Sequence, residues 1–98
     1  MPTMHAQVTT EHASRYIARL CKHFAHKVPA TWSDAQGTAD FPFGRCIMKA
    51  SGTQLALHCS ATDAAALERV CWVVADHLER FSAAVEAGEP LNVHWRGA

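Results

Sequence analysis

The chain has 98 residues, of which 49% are hydrophobic and 18% charged, a composition typical of a folded globule and unlike that of a disordered protein. This length predicts one domain spanning residues 1–98, and it excludes a TIM barrel or a two-domain dinucleotide-binding enzyme. Nine Lys and Arg residues balance nine Asp and Glu residues, so the net charge predicts no nucleic-acid partner.

The first part of the chain predicts a strand, a helix and a second short strand. Residues 4–9 alternate between apolar and polar side chains, a period of two that is typical of a half-buried strand. Thr10 can cap the helix that follows over residues 11–25, whose apolar side chains recur at helical spacing. Pro29 ends this helix, because the residue before a proline disfavours the helical conformation. Residues 30–33 then predict a short strand.

Residues 38–50 predict one further strand that is interrupted at Pro42 and Gly44. Proline cannot donate to a central ladder, and glycine within a strand often marks a bulge. The interruption has two interpretations: a lip over a ligand with Arg45 as its charged group, or a bulge that only curls the sheet. A hairpin turn then leads to an alternating strand over residues 54–59.

The last part of the chain predicts a second helix and a final strand. Ser60 or Thr62 can cap the helix, Asp63 favours its N-terminus, and its apolar face extends to Phe81. Residues 91–95 alternate again and predict the last strand. The order β-α-β-β-β-α-β predicts an α+β two-layer sandwich, in which two helices pack on a mostly antiparallel sheet.

The cysteines and the hydropathy pattern favour a cytoplasmic protein. No apolar run approaches the ~18 residues that span a bilayer, and we expect no signal peptide and no membrane partner. The four cysteines lie in apolar stretches without a Cys-x-x-Cys pattern, which favours buried, reduced thiols. Two disulfides in an exported protein are the alternative.

Five segments together resemble one small bacterial family. They are residues 12–16, 20–27, 40–46, 77–81 and 93–95, and the second contains the long and specific block Cys-Lys-His-Phe-Ala-His-Lys. Over nearly its whole length the chain resembles the family catalogued as domain of unknown function 2218. The resemblance implies a stand-alone cytoplasmic protein with a loose link to iron uptake and to siderophore-interacting flavoproteins. It implies no particular cofactor.

Basic side chains gather on one stripe of the first predicted helix. Arg19, His23 and His26 lie on successive turns, beside the apolar face. The neutral imidazoles of His23 and His26 could together bind a metal ion. The neighbouring cations instead favour an anion such as phosphate, a carboxylate or a catecholate. A solvated helix face without a ligand is the third interpretation.

The second helix adds two candidates to this site. His77 borders its apolar face and would meet a histidine of the first helix if the two helices are neighbours. The alternative for His77 is a buried side chain with a hydrogen-bond partner. The predicted ligand-binding residues are therefore Arg19, His23, His26, Lys27, Arg45, His77 and Arg80.

Other residues suggest surfaces or chemistry outside this stripe. Trp72 points away from the apolar face of its helix, next to Val73, and this pair predicts an interface with a second copy or with a partner. Outward histidines of three predicted strands, if adjacent, could bind a metal ion or make an interface pH-sensitive; they are His5, His58 and His94.

The function predicted most directly is that of a non-catalytic binding or accessory module. Its ligand would be an anion or an iron chelate, and a siderophore-interacting flavoprotein is a candidate partner. A structural homodimer or partner-interaction domain is the first alternative. A small enzyme that pairs Cys21 or Cys46 with a histidine is the second, although no pattern in the sequence provides an oxyanion hole.

Overall fold

Two helices cover one face of a six-stranded antiparallel sheet in the computed structural model, which describes residues 2–84 and 88–97. The sheet order is β2-β3-β4-β5-β1-β6. This architecture confirms the predicted α+β two-layer class. The elements are β1 Thr3–Thr9, α1 Ala13–Phe24, β2 Ala30–Trp32, β3 Gln36–Phe41, β4 Gly44–Ser51, β5 Gln54–Ala61, α2 Ala64–Ala83 and β6 Arg96–Gly97.

The core lies between the sheet and the helices, and strand alternation decides which side chains reach it. Along β5, Leu55, Leu57 and Cys59 are buried, whereas His58 between them is exposed on the opposite face. The helices fill the other side of the core through side chains spaced three or four residues apart, including Ile17, Leu20, Val70, Val74 and Leu78. Among residues 2–84 and 88–97, no helix covers the outer face of the sheet.

The starts of both helices differ in detail from the prediction. The hydroxyl of Thr10 accepts a hydrogen bond from the backbone N–H of His12 at 3.0 Å, one turn before the first residues of α1. Asp63 is the N-cap of α2, and its carboxylate accepts from the backbone N–H of Ala66 at 2.7 Å. The predicted caps Ser60 and Thr62 were therefore wrong. Ser60 belongs to β5, and Asp63 occupies the position from which a side chain reaches the free N–H groups.

The interruption predicted within residues 38–50 separates two strands. Phe41 of β3 pairs with Gly44 of β4, so Pro42 and Phe43 form a two-residue hairpin loop. Four strands therefore lie between the helices, where the sequence pattern counted three. Gly44 is required by close packing, because a Cβ there would lie 2.5 Å from the backbone oxygen of Ser60.

The alternating residues 91–95 do not form the predicted last strand. Their apolar side chains pack against the core. Their backbone N–H groups donate to side chains of α2 and not to a neighbouring strand. The N–H of Leu91 donates to Ser82 Oγ at 2.9 Å, and the N–H of Val93 donates to Glu79 Oε2 at 3.0 Å. Only β6, immediately afterwards, pairs with β1.

All four cysteines are buried and unpaired, as the apolar surroundings of each predicted. Within residues 2–84 and 88–97, no helix is long and apolar enough to cross a membrane.

Candidate functional site

Two histidines meet where the C-terminal part of α1 packs against α2. The ring centroids of His23 and His77 are 4.7 Å apart. The Nδ1 atom of His77 lies 2.7 Å from the backbone oxygen of Val73. Since a carbonyl oxygen can only accept, Nδ1 carries the hydrogen, and the Nε2 atom of His77 is free to act as an acceptor when the ring is neutral. Both predicted outcomes for His77, a helix-1 histidine neighbour and a hydrogen-bond partner, occur together.

An aromatic strip supports this histidine pair and continues toward the β3–β4 hairpin. The edges of both imidazole rings contact Phe24 and Phe81, with centroids 5.2 to 6.0 Å apart. Phe24 in turn contacts Phe41 at 5.1 Å, edge to face. These contacts join the histidine pair to the core, because Phe24 is buried while Phe41 and Phe81 are half-buried.

Positive side chains surround the histidine pair. The guanidinium of Arg19 lies over the ring of Phe81, 4.6 Å from its centroid. Desolvation lowers the pKa of His23 below its ordinary value, and nearby positive charges lower it further. Those charges belong, in decreasing order of effect, to His77, His26, Arg80 and Lys27. We call the set Arg19, His23, His26, Lys27, His77 and Arg80 the His23 cluster.

The end of α1 explains why cations collect here. The carbonyl ends of a helix carry partial negative charge, which favours basic side chains in the last turn and just after it. The chain then turns back, and the N–H of His26 donates to the oxygen of His23 at 3.3 Å while the N–H of Lys27 donates to the oxygen of Phe24 at 3.0 Å. Asp76 neutralises one cation, because its carboxylate pairs with Arg80 at 2.7 Å.

Arg45 is not part of the His23 cluster, although the sequence analysis grouped it there. Its side chain extends from the outer face of β4, on the side of the sheet away from the helices, and pairs with Asp40. The physical reason is strand alternation: Cys46 points into the core, so its neighbour Arg45 must point outward.

A metal site at His23 and His26 would need further ligands. Among the residues that the structure describes, no group of three or more His, Cys, Asp or Glu side chains could hold a metal ion. The cations around His23 also disfavour a second positive charge. Binding of an anion is the chemistry that this arrangement supports more directly.

The cysteines are poor candidates for a nucleophile. Burial raises the pKa of Cys21, and it is also the largest cause that raises the pKa of Cys71 to about 12. Cys59 has its pKa raised as well, first through its hydrogen bond with Cys46 and then by burial. Since the thiolate is the reactive form, these environments oppose covalent catalysis.

Trp72 is 65% exposed on α2, whereas its neighbour Val73 is half-buried and packs against the core. Only the tryptophan of the predicted pair is therefore prominent at the surface. It borders an apolar groove of about 610 Å³ between α2 and the segment that precedes β6. The groove is lined by Met4, Ala64, Leu67, Glu68, Cys71, Trp72, Ala75, Val93 and Trp95.

The sequence pattern did not predict that Phe24, Phe41 and Phe81 lie together at the candidate site. Phe24 and Phe81 were assigned to the apolar faces of their helices, and Phe41 to a strand. Each assignment holds, yet the three rings converge only because α1, α2 and the end of β3 pack together. The one available signal was that Phe24 and Phe81 directly follow the candidate residues His23 and Arg80 in the chain.

Comparisons with known proteins agree over nearly the full length. Residues 5–96 match the model of domain of unknown function 2218, described as an uncharacterized protein conserved in bacteria. The fold is similar to the NMR structure of PA4090 from Pseudomonas aeruginosa, with a TM-score of 0.79 and 32% sequence identity, covering 98% of this chain and 96% of that chain. No curated protein matches the sequence. The chain therefore belongs to the bacterial family of domain of unknown function 2218.

Proposed function

We propose that the chain is a cytoplasmic binding module that holds an anionic, ring-bearing ligand at the His23 cluster. The observation that carries this proposal is the contact between His23 and His77, within a cluster whose cations outnumber its acids. The four buried, unpaired thiols support the cytoplasmic location. The family resemblance links the ligand to iron, as a catecholate or its ferric chelate, and suggests a siderophore-interacting flavoprotein as partner.

The surface chemistry favours a planar anion over a compact one. Arg19 and Lys27 supply N–H donors and positive charge, which suit carboxylate or catecholate oxygens, and a bound anion favours protonation of the neighbouring imidazoles. The half-buried ring of Phe81 lies beside them and supplies an aromatic surface against which an aromatic ligand packs. Phosphate would use only the charges, so it should bind more weakly.

Isothermal titration calorimetry with three probes tests this proposal. The probes are 2,3-dihydroxybenzoate, its ferric complex and inorganic phosphate. We expect the two aromatic probes to bind more tightly than phosphate. The double variant His23→Ala/His77→Ala should weaken their binding about tenfold or more, the loss expected when charged hydrogen bonds are removed.

Lys22→Ala provides the matched control, because Lys22 is an exposed cation on α1 outside the His23 cluster. This variant should bind like the unchanged protein. The proposal fails if none of the three probes binds, or if Lys22→Ala weakens binding as much as the double variant. Binding of 2,3-dihydroxybenzoate without its ferric complex would support anion binding and overturn the link to iron.

The exposure of Trp72 favours a second candidate function, a homodimerisation or partner domain. A large aromatic side chain that is mostly exposed beside an apolar groove is common at protein interfaces. We propose a second copy of the chain as the occupant, because the helix layer supplies opposite charges. The exposed side chains of α1 include Arg15 and Lys22, whereas in α2 three acids outnumber two bases, namely Glu68, Asp76 and Glu79 against Arg69 and Arg80.

A further inference from the structure

The outer face of the sheet is open and displays ordered rows of side chains. Residues paired across antiparallel strands point to the same face, so the register fixes the neighbours in each row. The central row runs from Arg96 through His5 and His58 to Ile47 and Thr38. A shallow depression of about 420 Å³ lies at its middle, lined in part by His5, His58 and Lys49.

This face carries an excess of basic side chains even though the chain has no net charge. Arg45, Lys49 and Arg96 are exposed on it, and Asp40, paired with Arg45, is the one acidic residue on the outer face of the described strands. The other described acids lie in α2, at its N-cap, or in the loops and turns. The outer face therefore has two more basic than acidic side chains, which the net charge of the whole chain does not reveal.

The two histidines form a stacking platform at the centre of the basic face. His5 of β1 and His58 of β5 are directly opposite each other on neighbouring strands. Their ring centroids are 6.4 Å apart, and their planes are within 14° of parallel. Unpaired bases stack on aromatic side chains, including histidine, while basic side chains hold the phosphates between them.

We propose that the outer sheet face binds single-stranded nucleic acid, with bases stacked on His5 and His58 and phosphates bound by Lys49 and Arg96. This site lies on the opposite side of the sheet from the His23 cluster and is independent of it. The proposal departs from the expectation based on net charge, because net charge averages over both faces of the molecule. An open sheet face suits this ligand, since a flexible strand can cross several β-strands that no helix covers.

Fluorescence anisotropy with a labelled single-stranded oligonucleotide of about 12 nucleotides tests the proposal. We expect binding at low salt, with a slope of about −1.4 for log affinity against log salt, because two cations, Lys49 and Arg96, contact phosphates. Both His5→Ala/His58→Ala and Lys49→Glu should lower the affinity about tenfold. Circular dichroism of each variant checks that the fold is intact, and Lys49→Glu provides an exposed alternative if the histidine variant does not fold.

Lys22→Glu is the matched control, because it reverses one exposed charge in the helix layer and changes the net charge by the same amount. It should leave the affinity unchanged. The proposal is overturned if the oligonucleotide does not bind, or if Lys22→Glu weakens binding as much as Lys49→Glu. It is equally overturned if the histidine variant folds and binds normally, since binding would then depend on charge alone. His23→Ala/His77→Ala should leave the oligonucleotide affinity unchanged. The outcome of this assay is therefore independent of the proposal that the His23 cluster binds an anion.

Discussion

At the scale of single residues, His23 has the environment that most clearly links structure to a measurable property. Its imidazole lies between the ring of His77 and the edges of Phe24 and Phe81. Desolvation and the neighbouring positive charges both disfavour the protonated ring, so its pKa in the folded protein is below the ordinary value near 6.5. The pKa of His23 should therefore change when an anion binds in the His23 cluster.

We predict that His23 makes folding stability fall as the solution becomes acidic. Below the ordinary pKa the unfolded chain binds a proton at His23 more readily than the folded chain, so lowering the pH through this region favours unfolding. His23→Gln should lose less stability than the unchanged protein between about pH 7 and pH 5. The difference should be a few tenths of a kcal/mol, because water screens an exposed side chain. Urea denaturation at several pH values measures it.

The same residue connects stability to the proposed ligand. A bound anion favours the protonated imidazole, so 2,3-dihydroxybenzoate should raise the pKa of His23 and bind more tightly as the pH falls. NMR titration of the imidazole protons with and without the ligand measures this. Identical titration curves in the two samples would place the anion away from His23.

At the scale of elements, polar contacts hold the segment before β6 against the helices without strand pairing. Tyr16 of α1, almost fully buried, donates its hydroxyl hydrogen to Glu89 at 2.9 Å. Burial and this hydrogen bond raise the pKa of Tyr16 to about 12. On the α2 side, Ser82 and Glu79 accept hydrogen bonds from backbone N–H groups of the same segment.

We predict that Tyr16→Phe destabilises the fold by about 1.5–3 kcal/mol, the cost of losing a hydrogen bond to a charged group. The ring still fills the core, so the change isolates the hydroxyl. In the unchanged protein, stability should also fall between about pH 10 and about pH 12, because the unfolded chain loses the tyrosine proton first. Tyr16→Phe should lack this alkaline decrease. Urea denaturation at neutral and alkaline pH tests both parts, and equal midpoints at neutral pH would contradict the first.

At the scale of the whole molecule, the two faces of the sheet have different surroundings. The inner face is covered by α1 and α2, which meet at the His23 cluster, while the outer face is open and basic. Trp72 lies on neither of these surfaces, because it projects from α2 beside the apolar groove. Assembly through Trp72 would therefore leave both proposed binding sites accessible.

We predict that Trp72→Lys converts a dimer into a monomer without lowering the stability of the fold. A charged side chain in place of an exposed indole removes apolar contact area from the interface but leaves the core intact. Sedimentation velocity at several concentrations measures the mass, and circular dichroism checks the fold. The substitution Lys49→Glu, which reverses a charge on the outer sheet face away from α1 and α2, serves as control. A monomeric unchanged protein at high concentration would remove the basis for the dimer.

Local patterns in the sequence predicted the elements and the side that each one buries. Helical spacing identified α1 and α2, alternation identified β1 and β5, and the exposure of Trp72 followed from its position away from the apolar face of α2. These features are local because backbone geometry sets the direction of a side chain within its own helix or strand. The same geometry misled at residues 91–95, where alternation reflects packing against the core and side chains of α2 bind the backbone.

Only the tertiary structure decided which elements are neighbours, and both proposed sites depend on that. His23 and His77 are 54 positions apart in the chain, and they meet because α1 packs beside α2. His5 and His58 form a pair because β1 and β5 are adjacent, whereas His94 lies outside the described strands. Net charge gave no indication of the basic outer face. Burial of apolar side chains over long sequence separations sets this arrangement, and local periodicity carries no information about it.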